Sequence, residues 1–281
     1  LPDEFPFRQH AAMCAFNHTC GNIKALQALA DAWQQTGDAR FARAAAEMIA
    51  AYAPIFPTLP VTHHDDANPK RMPTYGEDVY GRRYPARVGF AWKDTILLQQ
   101  WLRVYRRIQG CEAIDAEARQ GVRDLARSIL ELNSLPNFLY YNDKYHNSIT
   151  NYYEAFVLTA RLWGQSFEAT DVVNDTVYTG GDLAQMAVNG PAGIAMFAAN
   201  AYDREGVYWE LSSSYTGYTL GYFIHIVPEL TGYSDPEDYR PSAAVEPYYL
   251  PLKDLDPVDL MPEFWRAILA QLRLSLNGGQ V

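Results

Sequence analysis

The sequence predicts an all-α protein built from antiparallel helical hairpins, and three observations predict it. Apolar residues recur at helical spacing along most of the 281-residue chain. The period-two alternation that is typical of half-buried strands is almost absent, and Gly, Pro and Asp breaks separate one helical stretch from the next. No repeat of fixed length is visible, which disfavours a solenoid. We therefore expect an (α/α) toroid with a concave face.

The first helical hairpin is predicted at residues 22–52. Its first helix is marked by apolar residues at helical spacing, namely Ile23, Leu26, Leu29, Ala30 and Trp33. Thr36-Gly37-Asp38 interrupts this pattern, and Asp38 is a suitable N-cap for the second helix. Residues 53–88 are rich in Pro, His, Asp, Arg and Tyr without an apolar period, which predicts a long irregular loop. Loops of this length are usually functional or mobile.

The remainder of the chain continues the helical pattern. The same spacing predicts helices at 90–109, 114–134, 148–164, 180–202 and 214–231. A tight turn at Asp203–Gly206 joins the last two of these. Residues 234–256, rich in Pro, Asp and Tyr, are expected to be extended, and a last helix is predicted at 257–276. We therefore predict a toroid domain at 1–235 and, at 236–281, an extended segment and a terminal helix packed on it.

The charge balance limits the kinds of partner. The chain has 33 acidic and 23 basic residues, a net charge of -10, which argues against nucleic acid. The absence of an 18-residue apolar run argues against a membrane span. Tyrosine is frequent, with 20 residues, and its apolar ring and polar tip suit carbohydrate-binding grooves as well as cores. A polyanionic substrate would need a local basic patch on such an acidic protein.

The stretch 70–93 is the best candidate for a basic patch, because Glu77 and Asp78 are its only acidic residues. Its basic residues are Lys70, Arg71, Arg82, Arg83, Arg87 and Lys93. They could form the rim of a polyanion-binding site. The alternative is a solvated loop whose arginines pair with carboxylates elsewhere in the chain.

Neither the cysteines nor the histidines predict a metal site, and no cofactor is expected. Cys14, Cys20 and Cys111 are odd in number and lack a C-x-x-C pair, so they describe neither a disulfide framework nor a zinc site. A Cys14–Cys20 disulfide would require that this stretch be a loop. The run His63–Asp66 contains ligand-type side chains, but adjacent residues rarely chelate one ion together and no further cluster accompanies them.

Two segments carry the most specific pattern of the sequence. Residues 203–215 read DREGVYWELSSSY: a tight turn, an aromatic pair, and then Glu-x-Ser-x-x-Tyr at a predicted helix start. Residues 147–155 read NSITNYYEA and open the helix that stops at Gly164. These segments, their order and the hairpin at 26–49 resemble the heparinase II/III-type polysaccharide lyases and the alginate lyases with the same toroid. The resemblance covers roughly residues 22–231.

The resemblance implies a lyase that cleaves a uronate-containing polysaccharide by β-elimination. Tyr215 stands where the family has the base, which can also return the proton to the leaving oxygen. Asn147 would donate hydrogen bonds to the uronate carboxylate and spread the charge that develops as the C5 proton leaves. Ser148 stands where a His commonly follows this Asn, so His146 is a further catalytic candidate. Asn151, four residues on and on the same helix face, is a rival of Asn147.

The same resemblance and the basic stretch supply candidate substrate-binding residues. They are Asn151, Tyr152, Glu210, Arg82, Arg83 and Arg87. A tyrosine acts as a base only as its phenolate, which nearby cations or donors must stabilise, and the arginines and His146 are the candidates. Glu210 is expected to orient another group rather than to act directly.

The family also sets expectations for the rest of the protein. Its members usually carry a C-terminal β-sandwich, and the sequence ends before one could form, so we expect an incomplete toroid. A secreted or periplasmic location follows from the resemblance alone. An acidic polysaccharide is the expected partner.

Two other functions fit the residues. A glycoside hydrolase on an (α/α) barrel would use paired carboxylates, which Glu154 and either Glu210 or Asp203 could supply. A non-catalytic carbohydrate-binding or scaffold domain is the third interpretation. Products without a double bond would favour the hydrolase, and binding without turnover would favour the binding domain.

Several of these residues also have a purely structural interpretation. Tyr215 could be a packing tyrosine, and Asn147 could be a helix N-cap. His225 lies mid-helix among apolar residues, so it is expected in a core or an interface. Asn17-His18 has the same two residue types as the family's Asn-His pair, but it precedes the first predicted hairpin, so no role in the site is expected for it.

Overall fold

The computed structural model describes residues 7–59, 87–88, 93–140, 147–172, 174–203, 206–209 and 213–276. The chain is mostly helical, which confirms the all-α prediction. Its internal contacts divide it into two compact units. The first unit comprises residues 1–139 and 169–176, and the second unit comprises residues 140–168 and 177–281.

The helices of the first unit follow the predicted order. They are α1 (Phe7–Thr36), α2 (Ala39–Ala50), α3 (Lys93–Ile108) and α4 (Ala116–Ile129), with a 3-10 turn at Phe56–Thr58 and a π-helical turn at Leu130–Ser134 that leads into α5 (Leu135–Tyr140). The predicted first hairpin is confirmed at its turn. Gly37 has a φ of +69°, and the carboxylate of Asp38 accepts the backbone N–H of Arg40 to cap α2.

Helix α1 begins at Phe7, earlier than the predicted start at residue 22, because no proline or other strong breaker interrupts residues 7–36. Cys14 and Cys20 therefore lie in one helix rather than in a loop. Six residues separate them by about 9 Å along the helix axis, which is too far for a disulfide. Cys20 is a free thiol.

Helices α2 and α4 pack through small side chains. Helix α2 buries the stripe Ala42, Ala45, Ala46 and Ile49. On α4, a Cβ added at Gly121 would lie 2.6 Å from the Cβ of Ala50. A side chain at residue 121 would force the two helices apart, so glycine is required for this contact.

The second unit is built around one buried helix. Its elements are a 3-10 turn (Asn147–Ile149), α6 (Thr150–Trp163), α7 (Gly180–Val188), α8 (Ile194–Ala201), α9 (Ser213–Leu230), a 3-10 turn (Glu246–Tyr248), α10 (Pro257–Leu260) and α11 (Pro262–Leu276). Helix α6 is buried from Thr150 to Ala160 and packs against α7 and α9. It stops, as predicted, at Gly164, whose φ of +53° favours glycine.

Two local features differ from the predictions. The stretch predicted as one helix at 180–202 forms α7 and α8, because Pro191 has no N–H and a tight turn brings Gly193 N–H to the carbonyl of Gly190. A short antiparallel pair, β1 (Glu168–Asp171) and β2 (Thr176–Thr179), was not predicted. Each strand has only four residues, too few to show an alternating pattern.

The segment 234–256, predicted to be extended, is irregular, with turns and the 3-10 turn Glu246–Tyr248, and is fastened to the start of α7. The carboxylate of Asp182 is fully buried and accepts the N–H of Thr179 at 2.9 Å, completing a capping box. Its other oxygen accepts the O–H of Tyr239 at 2.9 Å and the N–H of Ser242 at 3.0 Å. Burial and the adjacent Asp182 raise the pKa of Tyr239, which keeps its hydroxyl a donor.

The last predicted helix, 257–276, is confirmed as α10 and α11. The break lies at Met261, which precedes Pro262 and has the non-helical dihedrals φ -137° and ψ 62°. A residue before proline is displaced from the helical region by the proline ring.

Candidate functional site

Tyr215 lies in the first turn of α9 and is 49% exposed. Tyr215 stands at the edge of the face that α9 buries, which includes Thr216, Thr219 and Phe223, and close to the start of the helix. The ring of Tyr215 is therefore not part of the core. A phenol in this position is accessible to a ligand from solvent.

Asn147 opens the 3-10 turn that leads into α6. This agrees with the prediction that it starts the helix ending at Gly164. The structure describes the backbone of Asn147 and not its side chain. His146, Glu210, Arg82 and Arg83 lie outside the described residues, as does the run His63–Asp66.

A pair of hydrogen bonds connects the Asn147 turn to the helix that carries Tyr215. The side-chain amide of Asn151 donates to the carbonyl of Ser148 at 2.7 Å, which holds the turn against the first residues of α6. The hydroxyl of Tyr218 donates to the amide oxygen of Asn151 at 2.8 Å. The two halves of the proposed site are therefore joined through the side chains of Tyr218 and Asn151.

Asn151 and Tyr152 were predicted to bind substrate, and both are fully buried, with 0% exposure. A side chain without exposed surface does not contact a polymer in solvent. In this structure Asn151 is a positioning residue, and Tyr152 is a core residue of the buried helix α6. The sequence predicted that both residues lie near the site. It did not show that they face inward, because α6 is buried on nearly all sides and its pattern does not distinguish an exposed face.

Arg87 belongs to the first unit, where it holds the chain ahead of α3. Its guanidinium donates to the carbonyls of Pro57 at 3.1 Å and Leu59 at 2.5 Å. The backbone N–H groups of Arg87 and Val88 donate to the fully buried carboxylate of Asp94, at 2.6 Å and 2.9 Å. These contacts give Arg87 a structural role in satisfying backbone carbonyls.

The side of α9 next to Tyr215 presents a row of polar aromatic residues. Tyr218 and Tyr222 are half-buried, and their ring centroids are 4.8 Å apart in an edge-to-face arrangement. His225 follows on the same face and is exposed. His225 was expected in a core or an interface, and its exposure excludes the core, because the buried face of α9 is formed by its apolar neighbours Phe223 and Ile226. The spacing of 218, 222 and 225 on one helix face is the signal that would have revealed this row.

A cleft of about 870 Å³ lies in the first unit between α2 and α4. Its carboxylates are Glu47, Asp115, Glu117 and Asp124. Among the described residues that line it, Arg43 is the only basic one, and it already pairs with Glu47 at 2.6 Å. Because its charge is mostly negative, this cleft would repel a polyanion despite its volume.

A smaller cleft in the second unit contains Arg161 beside Trp163 and Tyr233. The guanidinium of Arg161 donates to the carbonyls of Glu229 at 2.5 Å and Thr231 at 2.7 Å. It therefore caps the C-terminal end of α9, where the free carbonyls attract a cation. This arginine stabilises α9 from the end opposite to Tyr215.

The paired carboxylates that a hydrolase would need are not presented together in the described part of the chain. Glu154 is only 1% exposed within α6. The carboxylate of Asp203 accepts the N–H of Val207 at 2.8 Å and so stabilises the turn that was predicted at Asp203–Gly206. The turn itself is confirmed by the hydrogen bond from Gly206 N–H to Asp203 at 3.0 Å.

The described residues contain neither a candidate metal-binding group nor a candidate membrane span. None of these residues form a group of three or more His, Cys, Asp or Glu side chains placed to hold a metal ion. No helix among them combines the length and the hydropathy that crossing a bilayer requires. Neither a protein-family model nor a curated protein matches the chain.

Proposed function

We propose that the protein is a polysaccharide lyase that cleaves a uronate-containing polysaccharide by β-elimination. The observation that carries the proposal is the exposed phenol of Tyr215, on a helix that is hydrogen-bonded through Tyr218 and Asn151 to the turn bearing Asn147. Two residues that the sequence motif assigns to one reaction, 68 positions apart, thus belong to directly connected elements.

In the proposed reaction, the Tyr215 phenolate removes the proton from C5 of a uronate. The electron pair of the C5–H bond forms the C4–C5 double bond, and the bond from C4 to the glycosidic oxygen breaks. Tyr215 then transfers the proton to the departing oxygen, which regenerates the phenolate. The net reaction is cleavage of one glycosidic bond without consumption of water.

The adjacent carboxylate decides whether the C5 proton can be removed. While that carboxylate is ionised, the carbanion adds a second negative charge close to the first. The amide of Asn147 would donate hydrogen bonds to the carboxylate and spread this charge in the transition state. His146, which belongs to the same unit as Tyr215, is the proposed source of the positive charge that the phenolate requires.

The test is the formation of the unsaturated uronate, measured by its ultraviolet absorbance, on alginate and on glycosaminoglycans. Tyr215→Phe retains the ring and removes the proton-transferring oxygen, so activity should fall at least about a hundredfold. The matched control is Tyr249→Phe, which removes one hydroxyl from a half-buried tyrosine of the same unit and should leave the rate unchanged. An unchanged rate in Tyr215→Phe would remove this residue from the mechanism.

The products also separate the lyase from its two rivals. Shortened chains with new reducing ends and no absorbance would indicate hydrolysis. Binding of the polysaccharide without shortening would indicate a carbohydrate-binding domain. The buried position of Glu154 makes the hydrolase the weaker of these alternatives, since its carboxylate has almost no exposed surface.

A further inference from the structure

The polar aromatic row of α9 consists of Tyr218, Tyr222 and His225. Successive members are four and three residues apart, so they project from one side of the helix and span about 10 Å along its axis. His225 is exposed and the two tyrosines are half-buried. The row begins one turn after Tyr215, so a polymer bound at Tyr215 could extend along it.

The row is held in place from behind. Tyr218 is fixed by its hydrogen bond to the buried amide of Asn151. On the inner side of α9, Phe223 stacks on Tyr153 of α6 with a centroid distance of 6.3 Å. A surface that is already ordered loses little entropy when a ligand binds to it.

Two glycines lie beside the row within the same helix, Gly217 and Gly221. A Cβ added at either position would meet nothing within 4 Å. Glycine is unfavourable inside a helix, and no packing contact with the described residues requires it here. Gly221 is three residues after Tyr218 and four before His225, so among the described residues the open space at this position lies beside the row and lets a ligand approach the helix backbone.

The chemistry of the row suits an acidic sugar. Tyrosine rings offer an apolar surface to the C–H face of a pyranose, and the hydroxyls bind its hydroxyl groups. The imidazole of His225 can donate a hydrogen bond to a carboxylate. Helix α9 has a single acidic residue, Glu229 in its last turn, so the row itself lacks the carboxylates that line the cleft of the first unit.

We propose that Tyr222 and His225 form a binding subsite for a uronate that neighbours the cleaved one, with the polysaccharide lying along α9. The inference rests on the proposed lyase function for the position of the cleaved unit. It goes further by proposing that the polysaccharide runs along α9 and by naming the residues that hold its next acidic unit. Tyr218 does not contact the sugar; its hydrogen bond to Asn151 holds the row in position. Tyr222 and His225 contact the sugar.

Binding is measured by calorimetry with hexasaccharides of alginate and of heparin, in a Tyr215→Phe background that prevents turnover. Tyr222→Ala and His225→Ala should each weaken binding about five- to tenfold, through the loss of one ring contact or one hydrogen bond. The matched control is Ile224→Ala, which removes a residue that is 56% exposed on the other flank of α9. It should bind as the parent does. Circular dichroism establishes that each variant is folded.

Kinetics of the variants with an intact Tyr215 separate this proposal from the proposed function. Tyr222→Ala and His225→Ala should raise KM for a hexasaccharide with little change in kcat. Weaker binding together with an active Tyr215→Phe protein would retain the subsite and remove the proposed base. Equal binding by both variants, equal losses in Ile224→Ala, or no binding of either hexasaccharide would overturn the subsite.

Discussion

The cleft of the first unit and the polar aromatic row of the second unit differ in the property that matters for an acidic substrate. The cleft is large, at about 870 Å³, but it is lined by carboxylates and by an arginine that is already paired. The row has no carboxylate of its own and is connected to the elements that carry the proposed catalytic residues. Charge and hydrogen-bonding groups, rather than volume, therefore indicate where a polyanion would bind.

The largest effect on stability is expected where the two helices of the cleft meet. Gly121→Val introduces a steric clash with Ala50, because an added Cβ at residue 121 would lie 2.6 Å from the Cβ of Ala50. Overpacking of this kind costs about 1–3 kcal/mol, which urea unfolding would measure. Because the change is in the first unit, the kcat of the folded protein should remain that of the parent. A stable Gly121→Val protein would show that α2 and α4 separate easily.

A smaller stability loss with a specific effect on activity is expected at Tyr218. Tyr218→Phe removes the hydrogen bond to the buried oxygen of Asn151, at a cost of about 1 kcal/mol, and loosens the link to the Asn147 turn. We expect kcat to fall about tenfold because misplacing a group that stabilises charge weakens its action. The pH profile of kcat should keep its shape, since the proposed base, Tyr215, is unchanged.

Tyr202→Phe is the control for this prediction. The hydroxyl of Tyr202 lies 2.6 Å from the hydroxyl of Thr219 on the buried side of α9, so its removal also deletes a hydrogen bond to this helix. The loss of stability should be similar and kcat should not change. A fall of kcat in both variants would mean that α9 as a whole, and not the link to Asn151, determines the rate.

Charge reversal in the cleft tests the comparison directly. If the cleft bound the polysaccharide, Glu117→Lys would remove a repulsion and lower KM. We expect KM to stay the same, because the substrate is proposed to bind at α9. Steady-state kinetics at low ionic strength, where charge effects are least screened, give the most sensitive measurement. A lower KM would assign binding to the cleft and contradict the proposal.

The smallest effects concern pH, and they have opposite signs in the two units. Burial raises the pKa of Asp235, although hydrogen bonds from Leu252 and Gln185 oppose the shift. Its folded state therefore binds the proton more tightly, and this group's contribution to stability decreases as pH rises through the interval between the unfolded and folded pKa values. Hydrogen bonds from Arg40 lower the pKa of Asp38 in the first unit, so its contribution is lost as pH falls through its folded pKa.

Urea unfolding from about pH 3 to pH 7 would measure both contributions, since this range includes ordinary carboxyl pKa values. Asp235→Asn should make stability less sensitive to rising pH in the acidic range. Asp38→Asn should make stability less sensitive to falling pH. Changes of the same sign in the two variants would contradict the assigned directions.

The sequence predicted those parts of the fold that depend on local signals. The break at Gly37 and the cap by Asp38 act within a few residues, and the stop at Gly164 follows from one residue's backbone freedom. The exposure of His225 was not predicted. Its neighbours in sequence are apolar, and this local composition does not show which way a single side chain points from the helix. The bond between Tyr218 and Asn151 joins residues 67 positions apart, and no local pattern encodes such a pairing.

The open space beside Gly217 and Gly221 has a consequence for mutational tolerance. Alanine at either position should fold at least as well, since it favours the helix by about 1 kcal/mol over glycine. Gly180 is the contrary case, because a Cβ there would lie 2.4 Å from the carbonyl oxygen of Gly164. In a library selected first for folding and then for polysaccharide cleavage, Gly180 should be retained in the first round. Gly217 and Gly221 should be retained only in the second, which would distinguish a surface kept for a ligand from one kept for the fold.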